Sequence, residues 1–550
     1  MNILGINQVA GLLTGQHDAA AALIKDGRLV ATAEEERFNR QRHAKGFPHL
    51  AMAYCLKEGG IEMKDIDIIA IGYNPWAIVR RGFFFLDPWS MFAYFTTFFL
   101  YKWGVRNIVK ASGAKIVYVD HHLAHAATAY RCAGLPDSNT LIIDGAGESE
   151  TASLYEGRGG ELTRIADIPF AHRYDRKPWR SIGKTYTRMT DFLKLGAHGE
   201  GKTMGLASYG TPRFDFSTIL NVKSFSDWTI DRRNISTLYK QYARADASAP
   251  LTQDHKDLAA SVQLALEDAV VNLARDAHTR NGIRNFALSG GCALNCNANS
   301  RLLAEDFCDN IFVQPASHDG GIALGAALEV MHRVGDGDFM TFEHAYWGPE
   351  FSNEQIEKIL KESKLKYRRA ANIASDTAEL IVAGKITAWF QGRMEMGPRA
   401  LGNRSILGNP MIEGMNDRIN EHVKHREVWR PFAPAVVAEA AHKYFEGLEK
   451  AKESPFMLLT YYVREQYRKV FPAITHIDGS SRIQTVRPDQ NPRFHALMLE
   501  IGKRTGHPMV LNTSFNDAGE PIICSPREAL RCFYSTGIDA LAIGDFILEK

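Results

Sequence analysis

The run His121-His122-Leu-Ala-His125 places two imidazoles four residues apart, directly after the β-like stretch Lys115-Ile-Val-Tyr-Val-Asp120. On a helix, residues four apart share one face about one turn apart, so His121 and His125 can hold one cation while His122 points elsewhere. The pair alone is a weak signal and reads more simply as a capped helix start with solvated histidines. Two further strand ends add carboxylates: Leu141-Ile-Ile-Asp144-Gly145-Ala-Gly147-Glu148 and Ile311-Phe-Val-Gln-Pro-Ala-Ser-His-Asp319-Gly320-Gly321. Open sheets bind ligands at such ends. Taken singly, Asp144 reads as a turn residue and Asp319 as the N-cap of the helix opening at Ile322. Together with the histidines they form an N/O donor set suited to Fe(II), Zn(II) or Mn(II), with positions left for a substrate oxygen; donor softness does not choose among the three.

Two glycine-rich segments suggest phosphate or nucleotide contacts. The strand Asn285-Phe-Ala-Leu-Ser289 runs into Gly290-Gly291 and a polar helix start containing Asn295, where the backbone can approach a nucleotide and helix amides can face phosphate. Gly199-Glu-Gly-Lys202-Thr-Met-Gly205 carries one cation without the Walker A spacing, and reads as a surface loop or as a phosphate or carboxylate clamp. Farther on, residues 391–407 set Arg393, Arg399 and Arg404 among glycines after a strand, and Lys424 to Pro434 adds Lys424 and Arg430. Guanidinium forks match phosphate oxygens bidentately. With Arg482 and the turn from Asn512 to Asn516, the cluster favours a triphosphate plus a second phosphate over a salt-bridged surface.

The elements that must position these groups follow from periodicity. Short β-rich runs are expected near 1–7, 19–25, 66–72, 115–119, 139–144, 151–156, 284–289 and 310–314, separated by helices and Gly-rich turns, which predicts α/β layers. Leu258, Val262, Leu266, Val270 and Leu273 recur at helical spacing and predict a helix from about His255 to Arg280, stopped by Gly282. Gly348-Pro349 breaks structure ahead of a fresh helix from Asn353 to Ser363, which puts one domain at 1–345 and a second at 350–550.

At 550 residues the chain exceeds one ordinary core. Its 65 basic and 63 acidic residues leave a net charge of +2, which provides no general field for nucleic acid or membrane. Seven cysteines, an odd number without a C-x-x-C pair, predict reduced thiols and a cytoplasmic location. The opening Met1-Asn-Ile-Leu-Gly, which starts directly as a strand, predicts no secretion signal. The aromatic stretch from Phe83 to Trp103 is interrupted by Asp87-Pro88 and is too short to span a bilayer; it reads as core, interface or the wall of an acceptor pocket involving Trp89 or Trp103.

Taken jointly, His17-Asp18-Ala, Glu35-Glu-Arg-Phe-Asn-Arg40 with His43, His121 to His125, Asp144-Gly-Ala-Gly, Glu200-Gly-Lys-Thr-Met-Gly-Leu-Ala, Gly290-Gly-Cys-Ala-Leu-Asn and Met396-Gly-Pro-Arg-Ala-Leu-Gly resemble the O-carbamoyltransferases of the NodU/CmcH type, which carbamoylate a hydroxyl of an antibiotic or signalling sugar. The resemblance covers nearly the whole chain. It implies an N-terminal actin-like ATPase fold of two related subdomains, followed by a C-terminal α/β YrdC-like domain. It further implies that the C-terminal domain makes carbamoyl-AMP and pyrophosphate from Mg-ATP and carbamoyl phosphate, through Arg399, Arg404, Lys424, Arg430, Arg482 and Asn512. By the same resemblance the N-terminal site transfers the carbamoyl group, with Fe(II) as the expected ion on His121, His125, Asp144 and Asp319. His17 is then the group beside the acceptor, and Lys202, Gly145, Gly290, Gly291 and Asn295 hold the adenylate. Expected partners are a small-molecule hydroxyl acceptor, ATP and carbamoyl phosphate, without nucleic acid or membrane, and with homodimerisation left open. Two positions depart from the pattern: Asn403, where histidine is common, and Asp517-Ala518, where a basic residue is usual.

Two other readings remain at this stage. One is an actin-fold Mg-dependent ATPase or kinase with a regulatory C-terminal domain, although Mg(II) prefers oxygen ligands to the histidine pair. The other is a tRNA threonylcarbamoyl-type enzyme, which calls for a basic face that the charge balance does not suggest.

Overall fold

The computed structural model describes residues 1–7, 17–76, 96, 98–99, 102–107, 110–170, 180–337 and 339–550. Two compact units divide the chain: residues 1–39 with 43–342, and residues 40–42 with 343–550.

In the first unit, Asn2–Ile6 (β1), Ala20–Lys25 (β2), Arg28–Glu34 (β3), Ile68–Ile71 (β4) and Lys115–Tyr118 (β5) form one sheet in the order β3-β2-β1-β4-β5. Asp26 and Gly27, both at positive φ (50° and 72°), make the two-residue turn that folds β3 onto β2. β1, β2 and β3 are antiparallel neighbours, whereas β4 and β5 run parallel to β1. A second sheet repeats the plan. Asp137–Ile143 (β6), Glu150–Arg158 (β7) and Glu161–Pro169 (β8) are the antiparallel meander, and Asn285–Ser289 (β11) and Asn310–Val313 (β12) add on parallel to β6, giving β12-β11-β6-β7-β8. A small hairpin, Leu220–Val222 (β9) with Trp228–Ile230 (β10), stands apart. Two sheets of the same order and strand directions are the duplicated actin-like architecture expected from the resemblance.

The helices following the last strand of each sheet change sides. His49–Gly59 (α1) covers one face of the first sheet, with Ala51, Met52 and Cys55 buried on it. His121–Tyr130 (α2) follows β5 but packs against β6 and β11 of the other sheet, and Ile322–Arg333 (α7) follows β12 but packs against β1. The contacts of α7 with β1 and with α2 are made backbone to backbone through glycine. A Cβ at Gly5 would stand 1.9 Å from the Ala323 carbonyl oxygen, and one at Gly325 would stand 1.9 Å from that of Ala124. Between them in sequence lie Ile182–Phe192 (α3), Glu200–Ala207 (α4), Gln253–Asn281 (α5) and Cys296–Ala304 (α6). α5 is the long helix expected from the leucine and valine spacing, capped by Thr252 and ended by Gly282 at φ 73°. The segment around Lys202, which reads as a surface loop or a clamp, is α4; Gly199 ahead of it sits where the Leu195 and Gly196 carbonyls come close, and Gly201 faces open space.

The second unit is α/β around one mixed sheet of eight strands. Arg368–Arg369 (β13), Thr387–Phe390 (β14), Arg404–Gly408 (β15), Ala433–Val437 (β16), Gln484–Val486 (β20), Met509–Ser514 (β21), Ala540–Ile543 (β22) and Phe546–Glu549 (β23) run in the order β13-β23-β22-β14-β15-β21-β16-β20. A smaller sheet holds Phe445–Glu446 (β17), Thr460–Val463 (β18) and Ser480–Arg482 (β19). Asn353–Glu362 (α8) opens with a capping box at Ser352, and Ile373–Val382 (α9) packs with Pro492–Thr505 (α10) over Trp389, Leu407 and Val510. All seven cysteines are free thiols. Among the described residues, no helix is long and apolar enough to cross a membrane. Most of the aromatic stretch 83–103, Trp89 included, lies outside the described residues, and Trp103 is exposed.

Candidate metal centre and phosphate site

His121 and His125 converge with Asp144 and Asp319 because three strand ends of the first unit meet. α2 starts just past β5, Asp144 follows β6, and Asp319 lies between β12 and α7. Each of the four offers one donor atom, and these atoms all lie within 4.8 Å of one another. His121 Nε2 is 3.5 Å from Asp144 Oδ2 and 3.8 Å from Asp319 Oδ1, and His125 Nε2 is 3.7 Å from Asp319 Oδ1. Donors around an ion with bonds of about 2.1 Å stand roughly 3.0–3.4 Å apart, so a small inward shift closes the set. Both histidines are buried, and both Nε2 atoms lack a hydrogen-bond partner. Buried unpaired nitrogens are costly, and a cation between them and the two carboxylates satisfies all four groups at once.

The supporting contacts fix the rings. Ser289 Oγ at the end of β11 donates to the Ser317 carbonyl (3.3 Å), so it accepts from His125 Nδ1–H (3.0 Å) and leaves Nε2 as the lone pair. Asp120 makes no side-chain cap on α2; the Glu148 carboxylate does so from β6–β7, accepting from the His121 amide at 2.7 and 2.8 Å. Burial lowers His125. His121 is also buried, but Asp144, Asp319 and Glu148 outweigh that and hold it up at about 9. Ion binding must therefore displace a proton from His121. His122 turns away to Ser153 Oγ at 2.7 Å.

His17 lies in the β1–β2 connection, the equivalent in the first sheet of the turn that carries Asp144 in the second. Its Nδ1 is 2.7 Å from Asp18 Oδ2. Burial works against its proton, but the Asp18 hydrogen bond and the charges of Asp319 and Asp144 raise it to about 9.

The residues expected around the adenylate divide. Gly145 is overhung by Lys184 of α3, whose Cε would lie 3.1 Å from a Cβ there; this lysine carries no sequence motif and was legible only from the fold. Lys202 is half-buried in the first turn of α4. Gly290, at φ 87°, lets β11 close on β6, since a Cβ would meet the Ile143 carbonyl oxygen at 2.4 Å. The Gly291 N–H donates to Asp144 Oδ1 at 3.0 Å and so orients a metal-set carboxylate. Asn295 differs from the nucleotide contact expected of it: its side chain caps α6 and pairs both ways with Gln263, at 2.9 and 3.0 Å.

In the second unit, Lys424 is buried with Nζ donating to the carbonyls of Ser514 and Asn516 and to Asn516 Oδ1 at 2.8 Å. Arg426 and Arg430 lie near Arg482: burial, and then repulsion among these guanidiniums, brings Arg426 down to about 9 and also lowers Arg430. Arg482 Nε is buried without a hydrogen-bond partner. Arg426 lies in the Lys424–Pro434 segment without having been singled out from the sequence, and the shared burial identifies it as a member of the cluster. Asn512 stands on β21 opposite Ala433, with a buried Oδ1 that accepts nothing. Arg399 is half-buried in the loop before β15. Arg404 departs from the phosphate role expected of it. It is fully buried, stacks 3.8 Å over Phe390, and donates to the carbonyls of Gln391, Gly392, Asn403 and Pro349. Asn403 joins the same loop through Arg393 and Asn491, and Asp517 pairs with His425 at 2.8 Å.

Burial, with a smaller push from Arg426, lowers the Lys424 ammonium to about 7 from an ordinary 10.5. Between these values the unfolded chain binds more protons than the folded one, so this group makes stability rise with pH from about 7 to about 10.5. Lys424→Met is therefore expected to gain stability relative to the parent as pH falls through that window, with a constant difference below it. Denaturant titrations across pH 6–10 test this, and a pH-independent difference would contradict it.

Residues 8–81 and 91–328 match the family described as Carbamoyltransferase N-terminus, and residues 378–550 match Carbamoyltransferase C-terminus. An uncharacterized protein, sll1178, of Synechocystis sp. is 36% identical over 99% of this chain and 97% of its own length. Nodulation protein NolNO of Sinorhizobium fredii is 36% identical over 98% of this chain and 79% of its own. The 3'-hydroxymethylcephem-O-carbamoyltransferase of Streptomyces clavuligerus is 27% identical over 96% of both chains. Among solved structures, T. kodakarensis HypF aligns with 61% of this chain and 48% of that one, at 14% identity and a TM-score of 0.37.

Proposed function

Because the chain belongs to the carbamoyltransferase family, with both of its halves matched, we propose that it is an ATP-dependent O-carbamoyltransferase working through carbamoyl-AMP on a hydroxyl of a small natural product or sugar. Support comes first from the four convergent donors with two orphaned imidazole nitrogens, set beside His17. An actin-fold ATPase using Mg(II) has no need of such nitrogens.

In this reading the domain from about 350 to 550 makes the adenylate. Arg399, Arg426, Arg430 and Arg482 bind and neutralise phosphate oxygens of ATP and carbamoyl phosphate, Lys424 shapes the Ser514–Asn516 turn, Asn512 offers its free Oδ1, and Arg404 holds the loop that carries Arg399. The domain from 1 to about 345 transfers the carbamoyl group. Fe(II), or Zn(II) or Mn(II) in its place, on His121, His125, Asp144 and Asp319 supplies Lewis acidity toward the carbamoyl oxygen when bound. His17, in its neutral form, takes the proton of the acceptor hydroxyl at Nε2. Lys202 and Lys184, with the Gly145 backbone, hold the adenylate phosphate, and the Gly290-Gly291 turn keeps Asp144 in place. Enclosure within one chain limits hydrolysis of the mixed anhydride. A cytoplasmic setting suits the seven free thiols.

The test is pyrophosphate release from ATP without acceptor, with carbamoyl phosphate present or omitted. Release that requires carbamoyl phosphate is the expected result. Release of orthophosphate without it, from metal-loaded protein, would put the ATPase reading ahead.

A further inference from the structure

Behind His17, three non-glycine residues adopt left-handed backbone: Asp18 at φ 62°, His43 at φ 52° and His198 at φ 55°. Each such residue costs about 1–3 kcal/mol, and strain of this kind persists where surrounding contacts over-determine it. The three come from separate segments: the β1–β2 connection, the turn before α1, and the turn before α4. Their side chains nevertheless form one unit. Asp18, nearly fully buried, puts Oδ2 at 2.7 Å from His17 Nδ1 and Oδ1 at 2.7 Å from His43 Nδ1. The His43 ring stacks on His198 at 3.6 Å, and His198 meets His17 edge-on at 5.5 Å. Asn7 ties the backbone of this unit to the metal set, donating to the carbonyls of Asp18 (2.6 Å) and Asp319 (2.9 Å).

The hydrogen-bond directions follow from chemistry. A carboxylate flanked by two imidazoles, with His318 3.6 Å away on another side, accepts from both Nδ1–H groups. In neutral His17 the lone pair then lies on Nε2, and His43 Nε2 is buried without a hydrogen-bond partner. We propose that Asp18, braced by His43 and its stacked partner His198, is the positioning group that fixes the His17 tautomer and aims Nε2 at the acceptor hydroxyl. This rests on the reading of His17 as the base. In the step, the hydroxyl O–H breaks and its proton passes to His17 Nε2. The hydroxyl oxygen bonds the carbamoyl carbon, and the carbon–phosphate oxygen bond breaks with its electron pair leaving on AMP. Asp18 stabilises the imidazolium; His43 keeps the carboxylate from rotating away.

The test is AMP release from carbamoyl-AMP by the metal-loaded full chain, with water as the attacking hydroxyl. Asp18→Asn and His43→Leu are expected to lower kcat about 100-fold with KM for carbamoyl-AMP unchanged, whereas His43→Asn, whose amide N–H replaces Nδ1–H, restores it to within a few-fold. His43→Leu at the parental rate while His17→Ala is inactive would overturn the positioning role alone. Parental activity in His17→Ala would remove the base itself, and absence of AMP release from the parent would remove both.

Discussion

His121→Ala is expected to abolish carbamoyl transfer, by about 1000-fold or more, while pyrophosphate release from ATP and carbamoyl phosphate continues near the parental rate. The imidazole lies 3.5 and 3.8 Å from the two carboxylates of the set and has no other partner for Nε2, so its loss removes a donor and leaves Asp144 and Asp319 facing each other. Lewis-acid assistance is worth several kcal/mol at the transition state, and each 1.4 kcal/mol is a tenfold change in rate. The measurements are bound metal per chain, which should fall well below one, and the two partial reactions assayed separately. Loss of both activities in a folded variant would refute the division of labour between the two domains.

Arg482→Ala is expected to give the converse and to carry an opposite sign in stability. Removing a cation that grips transferring phosphate commonly costs about 10²–10³ in rate, so carbamoyl-dependent pyrophosphate release should drop by that factor while supplied carbamoyl-AMP is still consumed. Arg482 also repels Arg426 and Arg430, so the variant should melt no lower than the parent, and slightly higher at low salt. ATP should raise the parental Tm more than that of the variant. A variant that melts lower and still makes adenylate would show Arg482 to be a structural residue.

Much of the frame was legible because it follows local rules. Eight expected strands correspond to β1, β2, β4, β5, β6, β7, β11 and β12, and the helix through Leu258 and Leu273 ends at its glycine. Two strands were passed over although the signal was there: β3 follows the Asp26-Gly27 turn, and β8 follows Gly159-Gly160, also at positive φ. The Lys202 segment reads as a loop or a clamp because of its glycines, whereas the fold makes it a helix in which Gly201 faces open space. Ligand types could be read from strand ends, but the contacts that orient them could not. Glu148, Ser289 and Lys184 act on residues that chain folding alone brings near, and nothing in their local sequence marks them. For the same reason Arg404, grouped by motif with the other expected phosphate-binding arginines, is spent on four carbonyls, a fact visible only once those carbonyls are placed.

The exchange of α2 and α7 between the two sheets has a consequence for synthesis. The face of β1 that carries Gly5 is covered by Ala323 of α7, roughly 300 residues later in the chain. At a translation rate of about 5–20 residues per second, β1 leaves the ribosome about 15–60 s before its covering helix exists. For that interval the apolar face of β1 that carries Ile3 is open to water and to other nascent chains. The first half of this protein is therefore expected to need shielding from aggregation during synthesis, whatever its final stability.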